Sequence, residues 1–450
     1  MTKQGPRNLE PVIRHSLCIA CGACTVAEPD MRLHLNSITL MYEPTAPGGA
    51  DAASVCPSIR VDYANHQARR FPNSAIRAVG VIESILLAQS TNVERNLRAS
   101  SGGIIKEILV DCLSRDEIDG VISLSHSEGI LFEPTLVRSP DEVDQLPASI
   151  YHNVPFDRAL KYLLACKGRY AVVATPCQLE GIYNYIYRCR PDLAERIVLS
   201  IGLVCGWTYS HHAIKAICEF TRVDSARIEQ ISYRGSGPVG RLCIQLPSRT
   251  QSISRRRNFH YMVAFDRSFN LPRCHLCVNH INYLADIVVG DAWLSRVANT
   301  KTGVSIVICR TKKSADLMAR LSDTGKIRLA EANEADLVES QSRNFVYGDF
   351  AYSYARYLDS IGQFTPDING PGRDSAVFAS TVEVARFHRN YMRKIHMQQK
   401  GAYRRLWFRK FVFDVPVYAW RFIKKLFNQQ SNRAATVMTQ VSTLDPGIFR

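Results

Sequence analysis

The sequence predicts an α+β/α/β chain. It has a small N-terminal module built on cysteines, a central mixed α/β domain and a basic helical C-terminal extension. Three observations lead there. Cysteines cluster at Cys18, Cys21, Cys24 and Cys56. From about residue 104 onward, apolar runs of strand length alternate with helix-period runs, the βαβα rhythm of a sheet faced by helices. From Arg386 to Lys425 there are 12 Lys and Arg against one acid, Asp414.

The totals set the frame. A chain of 450 residues, 46% of them hydrophobic, has room for more than one domain and a large core. Its 14 cysteines are too few for a disulfide scaffold of this length. They favour metal ligation in a reducing compartment, so a cytoplasmic protein is expected. The N-terminus has no apolar signal region. No apolar run approaches the roughly 18 residues of a spanning helix. The formal charge of +15 is compatible with nucleic acid, an anionic membrane surface or an acidic protein partner.

In chain order, residues 1–75 read as hairpin and loop around the first cysteines. Residues 76–345 form the central domain. Val79 to Gln89 is extended, and a helix begins at Ile104 after Ser100-Ser101-Gly102-Gly103. Strands are expected over Ile118 to Leu124, Glu133 to Arg138, Arg169 to Ala174 and Arg196 to Val204. Helices are expected over Pro155 to Cys166, Leu179 to Arg188 and His211 to Glu219. Shorter strands follow at Ile228 to Arg234, Arg241 to Leu246, Phe259 to Phe265, Ala285 to Asp291 and Val304 to Arg310, then a helix from Ser314 to Leu321. From about residue 343 the aromatics Phe345, Tyr347, Phe350, Tyr352, Tyr354 and Tyr357 read as loop. Residues 346–450 are the aromatic and basic extension. Pro416 is expected to break its helix, and the chain from Asn432 onward reads as a mobile end.

The cysteine spacing carries the chemistry. Cys18, Cys21 and Cys24 stand two residues apart, and Cys56-Pro57 closes the set, the C-x2-C-x2-C…C-P run of a [4Fe–4S] site. Gly22 lets the short loop turn. A zinc knuckle or plain buried thiols are the rival readings. A second set is Cys177, Cys205, Cys274 and Cys277. Cys177 and Cys205 each follow an expected strand, at the edge where open α/β sheets bind ligands. If those strands are parallel neighbours, the thiols approach one another.

Ser101, Gly102 and Gly103 at a helix entrance offer an anion seat, which plain capping explains equally well. Residues 386–427 interleave basic and aromatic side chains. Such a stretch can lie on an anionic membrane, dock an acidic carrier or partner subunit, or pack as a cap. Nucleic acid is the least favoured partner. Asp291, His275 and His126 are the candidate proton donors. Asp291 serves as well to orient a loop, His275 to bond beside its neighbouring ligands, and His126 as a structural histidine. Tyr209 and Lys106 call for the same caution.

These motifs resemble the beta-subunit family of coenzyme F420-reducing hydrogenases and dehydrogenases. That family includes ferredoxin-dependent reductases of chlorophyll pigments, such as 7-hydroxymethyl chlorophyll a reductase. The resemblance runs over roughly residues 15–330. It rests on the first four cysteines, Ser101-Gly102-Gly103, Thr175-Pro176-Cys177-Gln178, Ile201 to Cys205, Tyr233-Arg234-Gly235, Cys274-His275-Leu276-Cys277 and Ala285 to Trp293. It implies an N-terminal iron–sulfur module and a central flavin-binding domain, with FAD and two [4Fe–4S] clusters. Ser101, Gly102, Gly103, Thr175, Gln178, Arg234, Asp286 and Asp291 would lie at the flavin. The implied function is passage of electrons from reduced ferredoxin or a similar donor through the clusters to FAD, for two-electron reduction of a substrate the sequence does not name. The alternative is an F420-oxidising or electron-relay subunit of a larger complex. A homo-oligomer and a peripheral membrane location are compatible with either.

Overall fold

The alternating apolar runs build one mixed sheet, eight strands wide. The structure is a computed structural model that describes residues 6–234, 237, 240–254, 267–298, 300–409 and 412. A small hairpin comes first, β1 (Leu33–Leu35) against β2 (Tyr42–Pro44). Then come β3 (Ser84–Ser90), β4 (Gly120–His126), β5 (Phe132–Val137), β6 (Tyr170–Ala174) and β7 (Ile197–Leu203). A separate three-stranded antiparallel sheet holds β8 (Gln230–Ser232), β9 (Arg241–Leu246) and β10 (Arg249–Ser254). The chain returns to the large sheet with β11 (Ile287–Asp291), β12 (Ser305–Cys309) and β13 (Ile327–Ala332). The strand order is β13-β3-β12-β11-β7-β6-β4-β5. The inner strands β11, β7, β6 and β4 are parallel, and antiparallel strands flank them.

Burial on both faces explains the sequence of the parallel strands. Tyr170–Ala174 and Ile287–Val289 are continuous apolar runs, as a doubly covered sheet requires. Successive side chains of one strand enter opposite cores. Ile306 and Ile308 of β12 join one core, with helices Asp157–Ala165 and Pro176–Cys189. Val307 and Cys309 join the other, with helices Ile104–Ser114 and Lys312–Asp323. Helix Pro176–Cys189 starts at the end of β6 because Pro176 stands in its first turn and Thr175 pairs with Gln178 in a capping box.

The expected elements appear with ends moved by a few residues, and Phe259 to Phe265, the helix break at Pro416 and the end from Asn432 onward lie outside the described residues. Three expectations change. Residues 1–75, expected as hairpin and loop, hold four short helices besides the hairpin, Glu10–Arg14, Ala23–Ala27, Ala50–Val55 and Tyr63–Arg70. The stretch from residue 343, expected as loop, is the helix Ser342–Ser360. Its buried residues face two cores at once: Ala351 and Tyr352 join the large sheet core, whereas Tyr354 and Leu358 join the N-terminal core. A helix buried on several sides has no single apolar stripe, so its 3.6-residue period is blurred. The iron–sulfur and flavin modules are likewise not distinct bodies. Leu9, Leu17 and Cys24 share a core with Leu276, Tyr354 and Val384. Ile19, Cys21 and Val55 share one with the large sheet. What stands is a mixed α/β core with flanking helices. No helix among the described residues is long and apolar enough to cross a membrane.

Because Leu358 is 5% exposed, Leu358→Ala should destabilise the fold by about 3 kcal/mol. Urea denaturation measures this, and a loop side chain in solvent would give a change near zero.

Candidate functional site

The first four cysteines close on one small cavity. Cys18, Cys21, Cys24 and Cys56 line it together with Leu9, Val12, Ile19 and Ser58. The loop turns through Ala20 (φ 58) and Gly22 (φ 78), both left-handed. Gly22 has a second reason to be glycine, since a Cβ there would lie 2.2 Å from the Asp157 Cα. The Ala20 N–H donates to the Cys18 sulfur at 3.3 Å. Cys56 ends helix Ala50–Val55, which swings its sulfur to the other three. Burial pushes the Cys18 thiol up to about 12 and the Cys56 thiol up to about 11. Burial also lifts Cys21 and Cys24 well above the usual thiol range, and neighbouring thiols add to it.

The second set gathers at the carboxyl edge of the parallel strands. β6 and β7 are parallel neighbours, with Ala174 beside Gly202. The chain therefore leaves the sheet toward Cys177 and Cys205 side by side. Cys274 and Cys277 arrive on the turn Pro272–Leu276 and just after it. Thr208 N–H donates to the Cys274 sulfur at 3.3 Å, and the Thr175 hydroxyl lies 3.5 Å from the Cys177 sulfur. Burial, then the charges of Cys177, Cys274 and Cys277, oppose ionisation of Cys205.

One helix joins the two sets. Cys177 lies in the first turn of Pro176–Cys189, and Gly181 follows about 6 Å along the axis. A Cβ on Gly181 would stand 2.6 Å from the Cys21 sulfur. Between the sets sits a buried polar group that the sequence pattern does not reveal. The Glu180 carboxylate, 1% exposed, accepts from the Tyr63 hydroxyl and from Asn279 Nδ2, both at 2.7 Å. Arg273, also buried, donates to Leu276 O at 2.8 Å and to Pro57 O at 3.4 Å, tying the second cysteine turn to the residue after Cys56.

No group of three or more Cys, His, Asp or Glu among the described residues could hold a single metal ion as placed. A lone tetrahedral zinc needs every sulfur about 2.3 Å from one point. The donor set, eight buried or half-buried thiols in two fours, is of the kind that ligates iron–sulfur centres.

The same edge of the sheet carries a polar cluster. Ser101 and Gly102 are laced to β12 and β3. Ser101 Oγ donates to Val304 O at 2.9 Å, Gly102 N–H donates to Ser305 Oγ at 2.9 Å, and Ser90 N–H donates to Gly102 O at 2.7 Å. Gly103 (φ 79) caps helix Ile104–Ser114. The buried Arg234 guanidinium reaches Asp291 at 3.2 Å, the Tyr151 hydroxyl at 3.0 Å and the Ser100 carbonyl. Ser101–Gly103, Arg234 and Asp291 thus come together. Asp286 does not join them. It stands at the other end of β11, paired with Arg70 at 2.8 Å and Ser200 Oγ at 2.6 Å. Thr175 N–H and Oγ1 both donate to Gln178 Oε1 at 2.9 Å, so the capping box uses both side chains. His126 bonds Gly129 O at 3.0 Å in the β4–β5 turn. His275 is buried and packs its ring against Tyr391, 4.4 Å between centres. Lys106 is held by the Asp144 and Leu146 carbonyls, each at 2.8 Å. Tyr209 is buried and accepts from the Trp207 indole.

Residues 85–161 match the family "Coenzyme F420 hydrogenase/dehydrogenase, beta subunit N-term". Residues 167–335 match its C-terminal counterpart. The chain is a homologue of the coenzyme F420 hydrogenase/dehydrogenase beta subunits. It is 24% identical over 314 residues to a component of the F(420)H(2) dehydrogenase of Methanosarcina mazei, covering 66% of this chain and 83% of that one. It is 24% identical over 241 residues to the beta subunit of the coenzyme F420 hydrogenase of Methanothermobacter thermautotrophicus, covering 51% and 81%. A chain of the F420-reducing [NiFe] hydrogenase complex from Methanosarcina barkeri shares the fold, with a TM-score of 0.51 and 17% identity over 63% of this chain and 95% of that one. The homology is to this electron-transfer oxidoreductase family as a whole, not specifically to chlorophyll-pigment reductases.

For this F420-family homologue, the matched spans hold the polar cluster and the second cysteine set. The first set and the helices beyond residue 335 lie outside them. Because Arg234 is nearly sealed from solvent, Asp291→Ala should cost about 3 kcal/mol by leaving its charge unpaired. Asp291→Glu should recover part of that in thermal melts. Gly181→Ala should cost about 2 kcal/mol by overpacking against Cys21, whereas Gly348→Ala, inside helix Ser342–Ser360 with the nearest atom 3.7 Å from its Cβ, should not.

Proposed function

We propose that this chain is an electron-relay subunit of an F420-type oxidoreductase, holding FAD and two [4Fe–4S] clusters and exchanging electrons between reduced F420 and a partner subunit or carrier. The observation that carries this reading is the contact of the two cysteine sets through helix Pro176–Cys189, at the sheet edge that also holds Arg234 and Asp291. Homology to the beta subunits, and the F420-linked enzymes to which the relatives belong, support it. Residues 1–75 then serve the first cluster, 76–345 the flavin and second cluster, and 346–450 the partner.

Cys18, Cys21, Cys24 and Cys56 would hold one cluster, and Cys177, Cys205, Cys274 and Cys277 the other. Bound FAD and clusters supply the conversion between paired and single electrons. The chain's own part is binding and orientation. Helix Ile104–Ser114 presents first-turn amides to an anionic cofactor group. Arg234 adds a fixed cation beside them, and Asp291 holds it in place and can accept from a cofactor hydroxyl. Tyr63, Glu180, Asn279 and Arg273 fill the space between the cysteine sets and keep water out. N–H donors at Cys18 and Cys274 lower the charge on those sulfurs, which tunes a cluster's potential.

Protein purified without oxygen should contain about eight irons and about one FAD per chain, two four-iron centres and one flavin. Cys205→Ser should remove about half the iron and Cys56→Ser the other half. Zinc in place of iron would overturn the assignment. Reduced F420, reduced ferredoxin and NAD(P)H are then compared as donors. Oxidation of reduced F420 by the isolated chain is the expected result. Turnover with ferredoxin and an organic acceptor alone would favour a stand-alone reductase.

A further inference from the structure

Helix Thr381–Gln399 lies beyond the matched family segment, which ends at residue 335. Its inner face covers the turn that carries Cys274 and Cys277. Tyr391 and Phe387 pack against the His275 ring, at 4.4 and 5.1 Å between centres. The Tyr391 hydroxyl donates to Asn270 O at 3.0 Å, and the Gln398 amide donates to Ser268 O. The helix is therefore fixed to the segment leading into the second cysteine set.

The outer face is different. Arg386, Arg389, Arg393 and Lys400 are exposed on it, and Arg404 and Arg405 continue the patch. Arg404 pairs with Glu219 at 3.1 Å. Arg389, Arg393, Lys400 and Arg405 have no ion-pair partner among the described residues. Glu383, the acid on this helix, is engaged in its N-terminal capping box with Ser380.

We propose that this outer face is the docking surface for a small acidic electron-carrier protein. The proposal rests on reading Cys274 and Cys277 as part of an iron–sulfur site, and it adds the partner to that reading. Three features favour such a carrier. The unpaired positive charge is complementary to an acidic surface and steers its approach. The patch is one helix away from the Cys274–Cys277 turn, so a docked carrier stands about 10 Å, one helix diameter, from that turn. Phe387 and Tyr391 turn inward, and the large apolar side chains exposed on this helix are two, Val382 and Met392, where a membrane-lying helix needs a whole apolar face turned out. A charged rather than apolar contact also suits a transient partner better than a permanent one.

The test uses the full chain purified without oxygen, with a plant-type [2Fe–2S] ferredoxin as probe. Affinity is measured by calorimetry at about 50 mM and about 300 mM salt, where screening differs strongly. The expected result is an affinity that falls about tenfold or more with salt. The triple variant R386E/R389E/R393E should lose a similar factor at low salt, and the neutral variant R386Q/R389Q/R393Q should lose less. All three positions are exposed, and near-ultraviolet circular dichroism checks that the fold is kept. Vesicles containing phosphatidylglycerol are the second probe. Ferredoxin affinity unchanged in the triple variant would overturn the proposal. So would vesicle binding that the triple variant abolishes while ferredoxin does not bind. Iron content measured on the same samples separates the two readings. Normal iron without docking refutes the docking surface alone, and salt-sensitive docking without iron refutes the cluster reading and with it the electron-carrier role of this surface.

Discussion

The close approach of Gly181 to Cys21 is the constraint on which the rest of the structure depends. Only a residue without a side chain lets helix Pro176–Cys189 lie directly on the first cysteine loop. The same helix carries Cys177 one turn earlier, so the packing that completes the sheet core also sets the distance between the two thiol groups. Gly22 makes the matching approach from the loop side, against Asp157. Cys21 and Cys177 therefore belong to one packed core, which is why the N-terminal residues do not form a body of their own.

The carboxyl edge of the parallel strands organises everything else. Cys177, Cys205 and Asp291 all follow or end strands there, and the Ser101–Gly103 segment is bonded to the adjoining ends of β3 and β12. The opposite edge is closed by buried charge. Arg70 and Asp286 pair with Ser200 between them, and Arg310 donates to the Val79, Val81 and Ile281 carbonyls. One edge is held by internal pairs, whereas the other presents thiols, helix-terminal amides and a fixed cation.

Much of this was legible from spacing and period. The β6 and β7 runs are short, apolar and bounded by turn residues, so their ends, and the cysteines after them, could be placed. The joining of Arg234 with Asp291 was not legible from pattern, because nothing local links a turn after β8 to the end of β11. Family resemblance alone grouped them, and it also grouped Asp286. That residue is five positions from Asp291, and five strand residues put two side chains at opposite edges of a sheet. Glu180 gave no signal, since one acid in a helix normally faces solvent. Helix Ser342–Ser360 was missed because aromatics buried on several sides leave no stripe. The basic extension was legible as charge, but its packing on the Cys274–Cys277 turn is long-range.

The most direct measurement is electron paramagnetic resonance of the fully reduced protein. On the proposed reading, a cluster bound by Cys177 and its set and one bound by Cys21 and its set lie on either side of one turn of helix Pro176–Cys189, so their spins should interact. The expected spectrum is broadened by that interaction and simplifies to a single unbroadened signal in Cys205→Ser. Two sharp, independent signals, or no iron signal at all, would contradict the account.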